Sequence, residues 1–218
     1  MLAILWWSRE YPVTDMALKT EMTETAACAI YQWLREVCST RFLTMPMVLG
    51  GNGVIVQIDE SLFCHKPKNQ IERPPTDDMW VFGMVDTSHE QALGYMQIVP
   101  DRRAATLLPI IEAHVANGSV IPSDEWRAYR QVSLLRPVRS HGTVNHSVTF
   151  VDPITGVHTQ HIESYWNRAT LKLKRMKGCH GDQVPGNLDE LMWRERFGKT
   201  STDTWNNIIR DIATQYPV

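Results

Sequence analysis

The 218 residues carry 24 acidic and 22 basic side chains, a net charge of −2, with 43% hydrophobic and 21% charged residues. This is the composition of an ordinary globular chain, long enough for one domain with an appendage, and its near-neutral charge leaves any nucleic-acid role to local basic clusters. Apolar runs are too short to span a bilayer and "MLAILWW" lacks the basic segment and cleavage site of a signal peptide; four scattered cysteines without a CxxC pair fit a reducing intracellular compartment.

Residues 2–45 read as helical. A short helix near Thr14–Thr20 and a longer one from Thr23 to Cys38, with Ala27, Ile30, Leu34 and Val37 on one face, are separated by a tight break. Two helices joined in this way make a helix-turn-helix or, equally, a plain helical hairpin. "LGGNG" (Leu49–Gly53) is a glycine break and the natural boundary. Strands follow: "VIVQIDES", "MWVFGMVDT" and "ALGYMQIVP", the last two joined by the polar turn "SHEQ". A helix over "DRRAATLLPIIEAHVANG" takes Asp101 as N-cap and Gly118 as its stop. "SVIPSDEW" is a fourth strand, Trp126–Gln131 a small helix and "TVNHSVTFVD" a fifth strand. Three more helices are expected, over His158–Gly178, Leu188–Phe197 and Thr204–Tyr216. Three strands, helix, strand, helix, strand, helix is the order of a ribonuclease H-like α/β domain, a mixed sheet flanked by helices.

The helix beginning at His158 carries an apolar stripe of Ile162, Trp166, Ala169, Leu173 and Met176, a single acid, Glu163, and the bases Arg168, Lys172, Lys174, Arg175 and Lys177. An acid in a first helical turn also has a plain reading, a favourable interaction with the macrodipole. Two strands end on acids as well, the first at Asp59–Glu60 and the fourth at Asp124–Glu125. Alternation puts Ile55, Gln57 and Asp59 on one face and Glu60 on the other. Spacing alone does not decide between Asp124 and Glu125. In a ribonuclease H-like sheet the first and fourth strands are neighbours, so these ends and Glu163 can meet. Ionised carboxylates gathered in one cleft need cations. Mg²⁺ or Mn²⁺ suits an all-oxygen ligand set, and two ions about 3.5–4 Å apart can activate a nucleophile and stabilise the leaving oxygen of a phosphodiester. The basic stripe Arg168, Lys172, Arg175 would then hold the phosphate backbone.

Taken in order, "VQIDESLF", "WVFGMVDTS", "LGYMQIVPDRRAATLLPII", "IPSDEWRAY", "VNHSVTFVDPITGVHTQHIESYWNR", "LKRMKGC" and "LDELMWRERFG" resemble the Merlin superfamily of DDE transposases and its bacterial insertion-sequence relatives, from about Val54 to Gly198. The resemblance implies a ribonuclease H-like domain that cleaves and joins DNA at transposon ends with divalent metal. It assigns the three acids to Asp59 of "IDES", Asp124 of "SDEW" and Glu163 of "IESYWN". It also favours the helix-turn-helix reading of the N-terminal region, with Thr25, Gln32 and Arg35 facing DNA. Relatives often carry a cysteine zinc ribbon ahead of the helices, and no cysteine pair stands there. "KPKNQIERPPTDD" is less basic than expected, and Thr170 occupies a place where relatives tend to have lysine.

The histidines His141, His146, His158, His161 and His180, with Cys179, match no structural zinc spacing. Trp126, Tyr129, Tyr165, Trp166 and Trp193 read mainly as core; Trp126 and Tyr165 adjoin candidate ligands, where they could stack on a splayed base. The expectation is therefore a helical DNA-binding segment at 1–48, a catalytic domain at 49–200 and a helix at 201–218 packed on it. The expected function is a transposase with Asp59, Asp124 and Glu163 holding two Mg²⁺ or Mn²⁺ ions. Its partners would be double-stranded DNA, as transposon terminal repeats and target, and further copies of the chain, with no membrane. It would work in a nucleus if eukaryotic, otherwise in the cytoplasm or nucleoid. A catalytically silent, host-adopted DNA-binding protein and a nuclease without strand transfer are the alternatives.

Overall fold

The computed structural model describes residues 1–64, 78–89, 92–144, 151, 156, 158–175 and 181–217. They form two compact units, one of residues 47–172 and one that joins 1–46 to 173–218.

In the first unit, β1 (Val56–Cys64), β2 (Met79–Asp86) and β3 (Leu93–Val99) form an antiparallel meander. β4 (Ser119–Asp124) and β5 (Val138–Val144) pair in parallel, from Ser119↔Val138 to Asp124↔Val144. A parallel bridge, Ile55↔Val120, joins the two ladders, and Val120 N–H donates to the Val54 carbonyl at 2.8 Å. The strand order is thus β3-β2-β1-β4-β5, a mixed sheet of the expected ribonuclease H-like kind. Val56 and Ile58 face a core shared with Phe82, Met84, Ile121 and Tyr129, closed by Leu107 and Ile111 of α4 (Ala104–His114). The opposite face is covered by α5 (Gln160–Arg175). Glycines make room there: a Cβ on Gly83 would strike the Trp166 ring, and one on Gly94 the Tyr165 ring. Two β-strand positions are bare because two aromatics of the helix occupy the space.

The glycine break does its expected work. Gly50 and Gly53 take φ of 84° and 76°, a region open to glycine at low cost. The loop is held at both sides, by Gly50 N–H to Asp86 Oδ2 at 2.8 Å and Gly51 N–H to Ser119 Oγ at 3.0 Å.

Several boundaries move: α3 runs on to Thr44 and α6 starts at Val184. α4 starts at Ala104, with Asp101 bracing it from outside: its Oδ1 accepts from Arg103 N–H (2.9 Å) and Thr106 Oγ1–H (2.6 Å). The helix stops at His114, well before Gly118, because Val115 turns extended and bridges Leu49. β5 lies at Val138–Val144; Arg139, Ser140 and Thr143 are exposed, so this edge strand lacks an apolar pattern to read, and the strand expected over Thr143–Asp152 falls mostly outside the described residues. A 3₁₀ helix, Arg127–Leu134, occupies the place of the small helix.

The second unit is helical: α1 (Leu2–Ser8), α2 (Val13–Thr20), α3 (Glu24–Thr44), α6 (Val184–Phe197) and α7 (Ser201–Gln215). Thr23 caps α3 by accepting from Ala26 N–H, and Glu21 in the left-handed region ends α2. Trp7, Met16, Leu34 and Val37 share one core with Trp193 and Ile208. The expected helix over the C-terminal residues 201–218 is α7, and its buried Ile208 shares this core with Trp193 of α6 and with the N-terminal helices. Among the described residues no helix is long and apolar enough to cross a membrane.

Candidate active site

β1 and β4 run parallel at the Ile55↔Val120 bridge, and Asp59 and Asp124 each stand four residues beyond it (59 − 55 = 124 − 120 = 4). The register therefore brings these two carboxylates level on neighbouring strands: Asp124 ends β4, whereas Asp59 is the fourth residue of β1, which runs on to Cys64 and does not end at Asp59–Glu60 as expected. Asp59 is half-buried on the α5 face, where Trp166 Nε1–H donates to its Oδ2 at 2.9 Å. Asp124 closes β4, its Oδ1 accepting the backbone N–H of Trp126 at 2.9 Å in a turn that leads into the 3₁₀ helix.

Glu163 is half-buried in the first turn of α5, one turn before the Trp166 that bonds Asp59. That turn is fixed by a residue the sequence did not single out. Gln57 is 1% exposed, and its Oε1 accepts His161 N–H at 2.9 Å and Ile162 N–H at 3.1 Å. Its amide nitrogen faces Nδ1 of His158 (3.4 Å) and of His161 (3.2 Å), which accept when each ring proton sits on Nε2. A β1 side chain thus caps the helix that carries Glu163, two residues from Asp59 on the same strand face. Nothing local in the sequence marks this contact, because its partners are more than a hundred residues away.

Glu60, the neighbour left as a possible ligand, points to the other face and accepts the Tyr129 hydroxyl at 2.7 Å. Burial pushes its pKa up to about 7, the Tyr129 bond opposes this, and Asp59 and Asp124 add to the rise. Burial and then the charge of Glu60 hold the Tyr129 pKa well above the usual phenol value, again with help from Asp59 and Asp124. Both aspartates therefore lie within electrostatic reach of one buried pair. Glu60 Oε1 is itself buried without a hydrogen-bond partner among the described residues. Glu125 is exposed.

Among the described residues, no three His, Cys, Asp or Glu side chains gather closely enough to hold a metal ion as they stand. The donor chemistry nevertheless fits a hard divalent cation: three carboxylates, from the adjacent strands β1 and β4 and from the helix that covers the Asp59 face.

The basic stripe is not an open row. Arg168 is half-buried, donates from Nη2 to the Ala92 carbonyl at 3.2 Å and lies 4.9 Å over the Tyr165 ring. The ammonium of Lys172 is buried, whereas Lys174 is exposed. Arg175 ends the helix; Lys177, His146, Cys179 and His180 lie outside the described residues. In α3, Ala27 and Leu34 are buried and Ile30 half-buried. Thr25 is exposed, but Gln32 donates to Glu36 and accepts from Arg35, which is half-buried near Gly186. Tyr165 and Trp166 are core residues, and Trp126 is 38% exposed.

An uncharacterized transposase-like protein of Haemophilus influenzae is 31% identical to the chain over 119 residues, 55% of this chain and 92% of that protein. Among solved structures, the catalytic core domain of BIV integrase is similar with a TM-score of 0.44 and 14% identity, over 74% of this chain and 97% of that one. A simian T-cell lymphotropic virus intasome in complex with PP2A regulatory subunit B56 gamma is similar with a TM-score of 0.41 and 16% identity, over 89% and 68%. The ISXO2-like transposase domain matches residues 49–196, which include β1 to β5, Asp59, Asp124 and Glu163. The chain therefore belongs to the ISXO2-like family of DDE transposases.

Proposed function

We propose that this chain is a DNA transposase domain that cleaves and joins strands at transposon ends, with Asp59, Asp124 and Glu163 as the ligands of two Mg²⁺ or Mn²⁺ ions. The observation that carries this reading is the parallel register that brings Asp59 beside Asp124, with Trp166 linking Asp59 to the helix of Glu163. When bound, the ions supply charge to activate the attacking oxygen and to stabilise the leaving one. The chain's part is orientation. The Trp166 indole N–H fixes one oxygen of Asp59, the Trp126 N–H fixes one oxygen of Asp124, and the Gln57 cap fixes the turn that carries Glu163. DNA as terminal repeats and target, and an assembly of several copies that pairs two ends, complete the proposal. Residues 1–48 would contribute end recognition through Thr25 and its neighbours on α3, and Lys174 a backbone contact.

The test is one substitution and one substrate. Glu163→Gln keeps the side chain's shape and removes a charge, so the metal-free protein should melt at the parent temperature or slightly above it. Cleavage of labelled transposon-end DNA in Mg²⁺ should fall by orders of magnitude, and Mg²⁺ should raise the melting temperature of the parent more than that of the variant. If Glu163 served only the helix dipole, the variant would lose a little stability and cut normally. Binding without cutting by the parent would favour a silent DNA-binding protein, and cutting without joining a nuclease.

A further inference from the structure

We propose that Arg102, held between two tryptophans beside Asp124, is a built binding group for one phosphodiester of the DNA strand that enters the site; the inference rests on the DNA reading above. Arg102 lies in the link between β3 and α4. Its Cζ is 3.8 Å from the centroid of the Trp80 ring and 4.5 Å from that of Trp126. Both walls are fixed. Trp80 sits in β2, paired with Leu62 and Val99. Trp126 is tied by two bonds, its backbone N–H to Asp124 Oδ1 at 2.9 Å and its indole N–H to the Arg102 carbonyl at 3.1 Å.

Two indole rings this close to a guanidinium hold it by cation–π attraction, which does not use its N–H fork. Among the described residues that fork makes no hydrogen bond and no ion pair. Exposed arginines such as Arg127 and Arg139 also make no such bond, but arginines as buried as Arg102 or more so are engaged: Arg41 with Asp211 at 3.5 Å, Arg194 with Glu190 at 2.7 Å, Arg168 with the Ala92 carbonyl. Arg102 is near enough to the acids to lower the proton affinity of Glu60, yet it pairs with none of them. A counter-ion built only to neutralise carboxylates would bond one. A rigid, half-buried fork with unused donors at the rim of an acidic site instead suits a ligand with two anionic oxygens, the geometry of a phosphodiester.

The experiment uses the full chain, metal-free, and fluorescent transposon-end DNA as duplex and as single strand. Binding is measured by anisotropy across a salt series for the parent, Arg102→Ala, Arg102→Lys and Trp126→Leu. Loss of one phosphate contact should lower the slope of log K against log salt by about 0.9 on duplex or about 0.7 on single strand in Arg102→Ala. Affinity should fall several-fold in that variant and also in Trp126→Leu, which keeps the charge and the Trp126 backbone bond but removes one wall. Arg102→Lys should keep the charge without recovering the affinity. A parent-like slope in a folded Arg102→Ala overturns the inference, and so does full recovery of affinity by lysine. If Arg102→Ala does not fold, Trp126→Leu and Arg102→Lys carry the same decision. Cleavage by the parent in Mg²⁺ is scored separately. A parent that binds but never cuts removes the transposase reading and leaves the slope to judge Arg102, whereas a parent that cuts beside an unchanged slope removes only Arg102.

Discussion

Trp166 packs the benzo part of its ring over Gly83 while its indole nitrogen donates to Asp59 at 2.9 Å. Helical spacing identifies it as a core residue, and it is one; the polar end of the same ring reaches the candidate site. Single side chains with two duties recur here. Asp86, at the end of β2, accepts from Ser88 N–H, Ser88 Oγ–H and Gly50 N–H, at 2.8, 2.6 and 2.8 Å, and so joins the glycine loop to the sheet. Burial alone would raise its pKa, but these donors outweigh burial and hold it below the ordinary 3.8. A carboxyl with a depressed folded pKa contributes stability that is present above the unfolded value and is lost as pH falls through the folded one. Asp86→Asn should therefore destabilise by roughly 1–3 kcal/mol at pH 7, and the difference should shrink as pH falls below the ordinary 3.8 and through the lower folded pKa of the parent's Asp86. Melting curves from pH 7 down to pH 2 check this. A constant difference across that range would mean that the charge of Asp86 is irrelevant and only its shape matters.

At the scale of elements, α5 depends on a tie from β1. Gln57→Leu fits the same volume but leaves two N–H groups of the first turn and one face of the two histidines without their partner, at a cost of about 1–3 kcal/mol. Under the proposed function, loss of the cap should also loosen Glu163, so Mg²⁺-dependent cleavage should fall further than DNA affinity does. Gln57→Glu, which keeps the accepting oxygen where a helix N-terminus favours negative charge, should restore most of the loss. Equal falls in cleavage and affinity, or no rescue by glutamate, would reduce Gln57 to a packing residue. The same pair of elements shows what a sequence can and cannot disclose. Asp59 is legible because strand alternation runs through Val56, Ile58 and their neighbours, and Glu163 because a 3.6-residue period runs through Ile162, Trp166 and Ala169. The family resemblance chose Asp124 where spacing could not. The face of Gln57 and the burial of Tyr129 were legible, but the roles of Gln57, Tyr129 and Arg102 were not, since each acts through a partner distant in sequence. β5 was illegible for a related reason: as an edge strand it shows Arg139, Ser140 and Thr143 to solvent, so no apolar alternation marks it.

For the whole molecule, the chain order of the helices conceals their grouping. The sequence sets residues 1–48 apart as a helical segment, and the core of that segment is completed by α6 and α7. Trp193 of α6 is fully buried among Trp7, Met16 and Leu34, and its indole N–H donates to Asp211 of α7 at 2.8 Å. Arg194 lies 4.0 Å over the Trp7 ring and donates from Nη2 to the Trp7 carbonyl at 2.8 Å. Deleting Met1–Pro46 would thus uncover Trp193 and Ile208 and leave the buried Arg194 guanidinium without one of its acceptors. Losing the contacts of one buried tryptophan alone costs roughly 3–5 kcal/mol in cavity-forming substitutions, comparable to much of a domain's net stability. The truncated protein should therefore lose amide protection throughout 184–197 and 201–215 and tend to aggregate, whatever residues 1–46 do on DNA. Hydrogen exchange on the truncated and full-length chains measures this directly. If the amides of α6 and α7 keep their full-length protection after the deletion, the shared core is not what holds them. If protection is lost, the role of α3 in end recognition has to be tested in the intact chain. Thr25→Glu is the change to use there: the side chain is exposed and touches no core residue, so a loss of end preference at unchanged melting temperature would come from the DNA contact itself.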